Sequence, residues 1–233
     1  MLGPTDYVVW FLGFSLEVFV VVYSLARRQF IRYLTLNLYM MAAAMATCAH
    51  FYFVEHYGFS SMAYRYLYYY SDALLTILLY FSVFGLYQHV FGEMQASRYI
   101  RAASLMLLVG TACVSFMVVR ESQNHLTSRF VVQLSQNLYF VGLVLIYILW
   151  GAVMKLRETR TRVIQLVLAL GIYFSADAGS YALRNLFPGL EANVLRWIPP
   201  MMGVWLPAAW AYTFAKVSED ARLEPARLMV RAR

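Results

Sequence analysis

Seven stretches of apolar residues follow one another along the chain, each long enough to cross the roughly 30 Å hydrocarbon core of a bilayer as a helix of about 20 residues. They fall at 7–25, 34–54, 66–90, 100–119, 130–154, 163–186 and 197–216. The connections are short, about 8 to 13 residues, which leaves no room for a soluble domain. This pattern predicts an all-α fold, a seven-transmembrane-helix bundle in which sequence neighbours pack antiparallel. Residues 1–217 form one membrane domain, and 218–233 form a short basic tail at the membrane surface.

Polar positions inside these stretches are few, and each needs a reason. The segment Gly171 to Arg184 carries Asp177 and Arg184 seven residues apart, two turns along one helix face, with Ser180 and Tyr181 between them. A carboxylate facing lipid costs several kcal/mol, so that face is expected to look into the bundle. Span one carries Glu17 about 15 Å from its first residue, near the midplane. Span two runs from Asn37 through the small residues Ala42–Ala46, which allow close helix approach, to Cys48, His50, Glu55 and His56. Span three opens on Tyr64, Tyr66, Tyr68, Tyr69 and Tyr70, followed by Ser71 and Asp72, and ends at Gln88 and His89. Span four is featureless, a lipid-facing or packing helix. Span five brings Gln133, Gln136 and Asn137, and span seven contains Pro199, Pro200 and Pro207 with Trp197, Trp205 and Trp210, so kinks and freed carbonyls are expected in its outer half.

Composition agrees with a membrane chain: 62% of residues are apolar and 13% charged. The first apolar run has no basic n-region before it and no small-residue cleavage site, so it reads as a retained span. Of the 19 lysines and arginines, Arg65, Arg120, Arg129, Arg184 and Arg196 fall on one side and the rest on the other. The positive-inside rule therefore puts the N-terminus outside and the C-terminus in the cytoplasm, as expected for the inner membrane of a bacterium. The net charge of +7 is mostly this asymmetry, which points to lipid headgroups and not to nucleic acid. Cys48 and Cys113 lie inside spans and read as buried free thiols, not as a disulfide or metal cluster.

Helical rise converts positions to depths: His50 is about 24 Å and Asp177 about 21 Å above the inner ends, and Asp72 about 9 Å below the outer end. Gln136 and Asn137 reach a similar height. The expectation is an outward-facing polar pocket built by spans one, two, three, five and six, with Glu17, His50, Asp72, Gln136, Asn137, Asp177, Tyr181 and Arg184 as its ligand-binding residues. Each has a second reading: a structural pair for Asp177 and Arg184, a carboxylate satisfied by tyrosines for Asp72, an interfacial aromatic belt for the tyrosine cluster.

No metal or cofactor is expected. His50 and His89 belong to opposite sides, and His56 and His125 to outer loops, so they cannot share a haem. Span seven has no histidine, unlike the seven-span zinc amidases of the ceramidase and adiponectin-receptor type. Lys216 lies at the cytoplasmic end of that span, too low for the retinal lysine of microbial rhodopsins.

With its acidic residue in span one, its aromatic opening to span three running into LLYFSVFGLYQHVF, and its arginine-rich loops, the chain resembles a group of small bacterial seven-span proteins common in acidobacteria. The layout is also similar to the seven-span sensor regions that precede bacterial histidine kinases, here without a kinase, which implies a detached receptor or partner subunit. YYYSDALLTILLY around Asp72 and GIYFSADAGSYALRNLF around Asp177 are similar to two stretches of the lysoplasmalogenase family. Departures are Ala176 between Ser175 and Asp177, seven spans instead of eight, and no Lys-Pro element near the start. That resemblance implies Asp72 and Asp177 as the acid and base of a lipid hydrolase.

The preferred reading is a non-enzymatic membrane subunit that binds a small molecule or lipid and passes occupancy to a membrane or cytoplasmic protein partner. The alternatives are the lysoplasmalogenase-type hydrolase and a small-molecule or proton-coupled transporter with Glu17 as the proton site. An evident inverted repeat, expected of many transporters, is missing.

Overall fold

The computed structural model describes residues 4–91, 97–120, 126–155, 160–186, 197–219 and 221–222. His125, Arg196 and most of the basic tail lie outside the described residues. Seven helices follow in order: α1 Pro4–Ala26, α2 Leu34–Tyr57, α3 Met62–Phe91, α4 Ser97–Arg120, α5 Leu126–Lys155, α6 Thr161–Leu186 and α7 Ile198–Lys216. The fold is all-helical, and six of these helices are long and apolar enough to cross a membrane, as in a multi-pass membrane protein. The exception is α7. It extends about 28 Å, but its prolines, tryptophans and Tyr212 dilute the apolar run.

Local signals explain where the helices start and stop. Gly58 takes φ +76° at the end of α2, a conformation that side chains resist. Ser61 Oγ accepts a hydrogen bond from the Tyr64 N–H at 3.1 Å, the geometry of an N-cap, so α3 begins four residues before its apolar run. Asn37 Nδ2 donates to the carbonyls of Phe30 and Tyr33, fixing the turn between α1 and α2. Pro199 and Pro200 do not kink α7. They lie in its first turn, at the second and third helical positions, where a missing N–H costs nothing. Pro207 alone is internal.

The helices close a ring: α1 packs on α2, α2 on α3, α3 on α5, α5 on α6, α6 on α7, and α7 returns to α1. Helix α4 stands outside, against α5 and α3, while α3 and α6 touch across the centre. As expected for span four, α4 is largely unshielded by the rest of the chain. Met106 is 77% and Met117 71% exposed, surface that acyl chains would cover. Its inward face is polar: Asn137 Nδ2 donates to Ser115 Oγ at 2.9 Å, and the Tyr80 hydroxyl to the Ser104 carbonyl at 2.8 Å. Both cysteines are free but exposed on the outer faces of α2 and α4, correcting the expectation of buried thiols. In a multi-pass protein the outward face of a helix is as apolar as its core face, so apolar surroundings in the sequence do not distinguish lipid from protein.

Two glycines set how closely the helices approach. A β-carbon on Gly142 of α5 would overlap the ring of Phe174, a fully buried side chain of α6. One on Gly85 of α3 would overlap Thr35 Oγ1 of α2, beside the Ser82 hydroxyl that donates to the Thr35 carbonyl at 3.1 Å. Gly171 has open space in the same direction. Gly142→Ala is therefore expected to destabilise the detergent-solubilised protein by about 1–3 kcal/mol through overpacking, and Gly171→Ala to leave it unchanged. Thermal unfolding of the two variants side by side checks this.

Candidate functional site

The face of α1 that looks into the bundle carries Trp10, Gly13, Phe14 and Glu17, at three- and four-residue steps. Thr47 and His50 share a face of α2. Tyr64, Tyr68, Ser71, Asp72 and Leu75 do the same on α3, and Pro199, Pro200, Gly203 and Val204 on the first turns of α7. These four faces enclose a cavity of about 450 Å³ at the end of the bundle where α7 begins, with Phe59 and Trp197 at its mouth. That volume is ordinary for a small-molecule site. A deeper lobe of about 150 Å³ shares Glu17, Thr47, His50, Leu75 and Gly203, and is floored by Tyr39, Tyr173 and Pro207. The space between α2 and the other helices here comes from Ala43 and Ala46, two of the small residues singled out in span two.

Glu17 is only 8% exposed, and one carboxylate oxygen accepts a hydrogen bond from the Thr47 hydroxyl at 3.3 Å. The residue lines both the cavity and its deeper lobe. His50 Nε2 lies 2.8 Å from Ser71 Oγ, and the Ser71 hydroxyl donates to the Tyr68 carbonyl at 3.0 Å. The Ser71 hydroxyl thus links the His50 imidazole to the α3 backbone. The imidazole is held between Tyr64 and Tyr68, with ring centroids 5.9 and 6.0 Å away. Pro207 has no N–H to give the Gly203 carbonyl four residues before it, and that carbonyl lies against Gly13 of α1.

Asp72 lines the cavity from α3, and its carboxylate has the buried Ser135 hydroxyl of α5 within reach, though not as an aligned hydrogen bond. Asp177 on α6 is buried behind Tyr173, whose hydroxyl is within hydrogen-bonding reach of the carboxylate. The Asp72 and Asp177 charges act on each other and jointly on Tyr39, Tyr139 and Tyr181. Arg184 acts on Asp177, Tyr68 and Tyr181 from the same side. The structure thus gathers Glu17, His50 and Asp72 around one cavity, and places Asp177, Tyr181 and Arg184 in a tyrosine-rich layer behind it.

Gln136 and Asn137 lie elsewhere. Asn137 is turned to α4, bonded to Ser115 and accepting from Gln133 at 3.2 Å, and Gln136 lines a separate groove with Arg65, Arg129, Tyr66 and Tyr69. The wall expected from spans five and six is instead supplied by α7, with α6 contributing Tyr173 to the deeper lobe. Similar depth does not bring residues together when α5 sits behind α3, and the ring order puts α7 beside α1. The tyrosine cluster divides accordingly: Tyr64 and Tyr68 face the cavity, whereas Tyr66 and Tyr70 stack on each other at 6.4 Å on the outside.

The opposite end of the bundle is closed by a buried arginine. Arg162, 3% exposed at the start of α6, donates through Nε and Nη2 to the Val217 carbonyl and through Nη1 to Gln29 at 2.9 Å, with its guanidinium 5.5 Å from the Phe214 ring centre. Around it, Arg160 donates to the His89 carbonyl, the Thr161 N–H to the Ala221 carbonyl, and Arg32 pairs with Glu219 at 2.7 Å. Tyr33 lies flat on His89, with centroids 4.9 Å apart, and burial pushes its phenol above the ordinary value. His50 and His89 are thus at opposite ends, and among the described residues no group of three His, Cys, Asp or Glu is arranged to hold a metal. Sequence reasoning passed over Arg162 as one more loop arginine, and nothing in its neighbourhood signals burial.

The chain matches no protein-family model, and neither the curated proteins nor the solved structures contain a significant match to it.

Replacing Arg162 by Met strands the Val217 carbonyl and removes hydrogen bonds to a charged group, each worth about 1.5–3 kcal/mol. The variant is expected to melt earlier and to be cut faster by trypsin after Lys216, because residues 217–222 lose their anchor. Time-resolved proteolysis followed by mass spectrometry reads both the site and the rate.

Proposed function

We propose that this protein is a seven-span ligand-binding subunit, sensor-like or accessory, that takes a small molecule into an outward-facing cavity and communicates with a protein partner at its basic cytoplasmic end. The observation that carries the reading is the position of α7, which walls the cavity at Gly203 and Val204 and is clasped by Arg162 at Val217. One rigid element therefore touches both the cavity and the end where Arg32, Arg160, Arg162 and Lys216 gather. On this reading α7 crosses as the seventh span, supported by its packing between α1 and α6. The N-terminus is outside and the C-terminus in the cytoplasm, supported by the charge asymmetry, and the membrane is the bacterial inner membrane. The basic end also favours contact with anionic lipid headgroups.

A second reading is favoured by one specific feature. Asp72 and Asp177 are close enough for each charge to act on the other, as the acid and base of a lysoplasmalogenase-like hydrolase would need to be. Asp177, however, stands behind Tyr173, so a headgroup would reach Asp72 first.

Native mass spectrometry of protein extracted from its own membranes tests the first reading, with a bound small molecule or a reproducible protein partner expected. Bare, solitary protein that hydrolyses added lysolipid, with activity abolished in Asp72→Asn and Asp177→Asn, moves the assignment to the second. For topology, a fluorescent protein fused after Arg233 is expected to be fluorescent and alkaline phosphatase fused there inactive. The reverse pattern overturns the proposed orientation.

A further inference from the structure

We infer that the ligand of the cavity is a small organic cation, an amine or quaternary ammonium; this inference rests on the binding reading above. Three features of the cavity select positive charge.

Among the described residues its walls hold carboxylates without a basic residue to neutralise them. Glu17 and Asp72 both line it, and no described Lys or Arg does. Arg184 acts on the layer behind, through Asp177, Tyr68 and Tyr181. Glu17 is nine-tenths buried, yet its only hydrogen bond among the described residues is the 3.3 Å contact from Thr47. Leaving a carboxylate in that state is costly unless a counter-charge or a proton reaches it.

The neighbouring polar atoms are acceptors as well. The Thr47 hydroxyl is committed to Glu17 and the Ser71 hydroxyl to the Tyr68 carbonyl. The His50 Nε2 is engaged by that same Ser71 hydroxyl. The Gly203 carbonyl has lost its helical donor to Pro207. An ammonium N–H finds acceptors here on α1, α3 and α7, whereas a carboxylate or phosphate would meet like charge.

The remaining surface is aromatic. Trp10, Phe14, Phe59, Tyr64, Tyr68 and Trp197 line the same space, and ring faces attract desolvated cations, quaternary ammonium groups above all. A cavity of about 450 Å³ admits a molecule of choline or polyamine size with room for ordered water.

The test uses the full chain in lipid nanodiscs, titrated calorimetrically with choline, tetramethylammonium and putrescine, and with 3,3-dimethylbutan-1-ol, the uncharged carbon isostere of choline. At least one cation is expected to bind saturably, and choline at least tenfold more tightly than its isostere if choline is the cation that fits. Glu17→Gln, which keeps an acceptor for Thr47, is expected to weaken cation binding at least tenfold with an unchanged melting temperature. Trp10→Phe should retain binding that Trp10→Leu loses. If Glu17→Gln misfolds, the Trp10 pair carries the test. Isostere binding as tight as that of the cations, or cation binding indifferent to Glu17 and Trp10, overturns the cationic assignment and leaves a ligand cavity of another kind. If no cation binds while native extraction still yields another bound molecule, the inference fails and the binding reading stands. Silence in both experiments removes both.

Discussion

A polar group carried into hydrocarbon has to find its partner inside the protein, and the bundle is arranged around the places where it does. At one end, the Arg162 guanidinium is satisfied by Val217 and Gln29 and covered by Phe214, so a charge that would be expensive in lipid becomes the tie between α1, α6 and α7. At the other end the same constraint is left partly unmet. Glu17 has one hydroxyl for company and an open space beside it. The two ends differ in how far the described residues satisfy the charge, and the hydrogen bonds alone show it.

Much of the fold could be read from the sequence, because the bilayer makes length and hydropathy nearly sufficient. The helices begin and end within a few residues of the apolar runs, and the exceptions have causes outside hydropathy, such as the Ser61 cap that extends α3. Helix α4 was legible as the one with least to do inside the ring. What hydropathy could not give is rotation and neighbourhood. Asn137 was expected to face the cavity and faces α4. Cys48 and Cys113 were expected inside and point outward. Rotation of a helix in lipid is set by packing against its neighbours, and with apolar residues on every side the sequence carries little trace of it.

For the candidate site, helical rise put His50, Asp72 and Asp177 at one depth and Glu17 somewhat deeper; Glu17, His50 and Asp72 line one cavity, and Asp177 does not. Thr47 and Trp10 were passed over although they lie one turn from His50 and two turns from Glu17 on the same faces, a periodicity that could have found them. Helix α7 was harder. Its prolines suggested a broken span, whereas two of them start the helix and the third frees a carbonyl next to the cavity. Which helix closes the wall depends on the ring order, and a chain of seven helices with six short connections is compatible with several.

That ring order has a consequence for how the protein is made. The wall beside Glu17 belongs to α7, which leaves the ribosome after the other six described helices, and the Val217 carbonyl that Arg162 holds comes later still. At a synthesis rate of about 5–20 residues per second, the first helix waits on the order of ten to forty seconds for the last. During that interval α1 sits in the bilayer with its carboxylate unsheltered. The nascent chain must therefore tolerate, or be chaperoned through, a membrane intermediate in which the future cavity is still an open face to lipid.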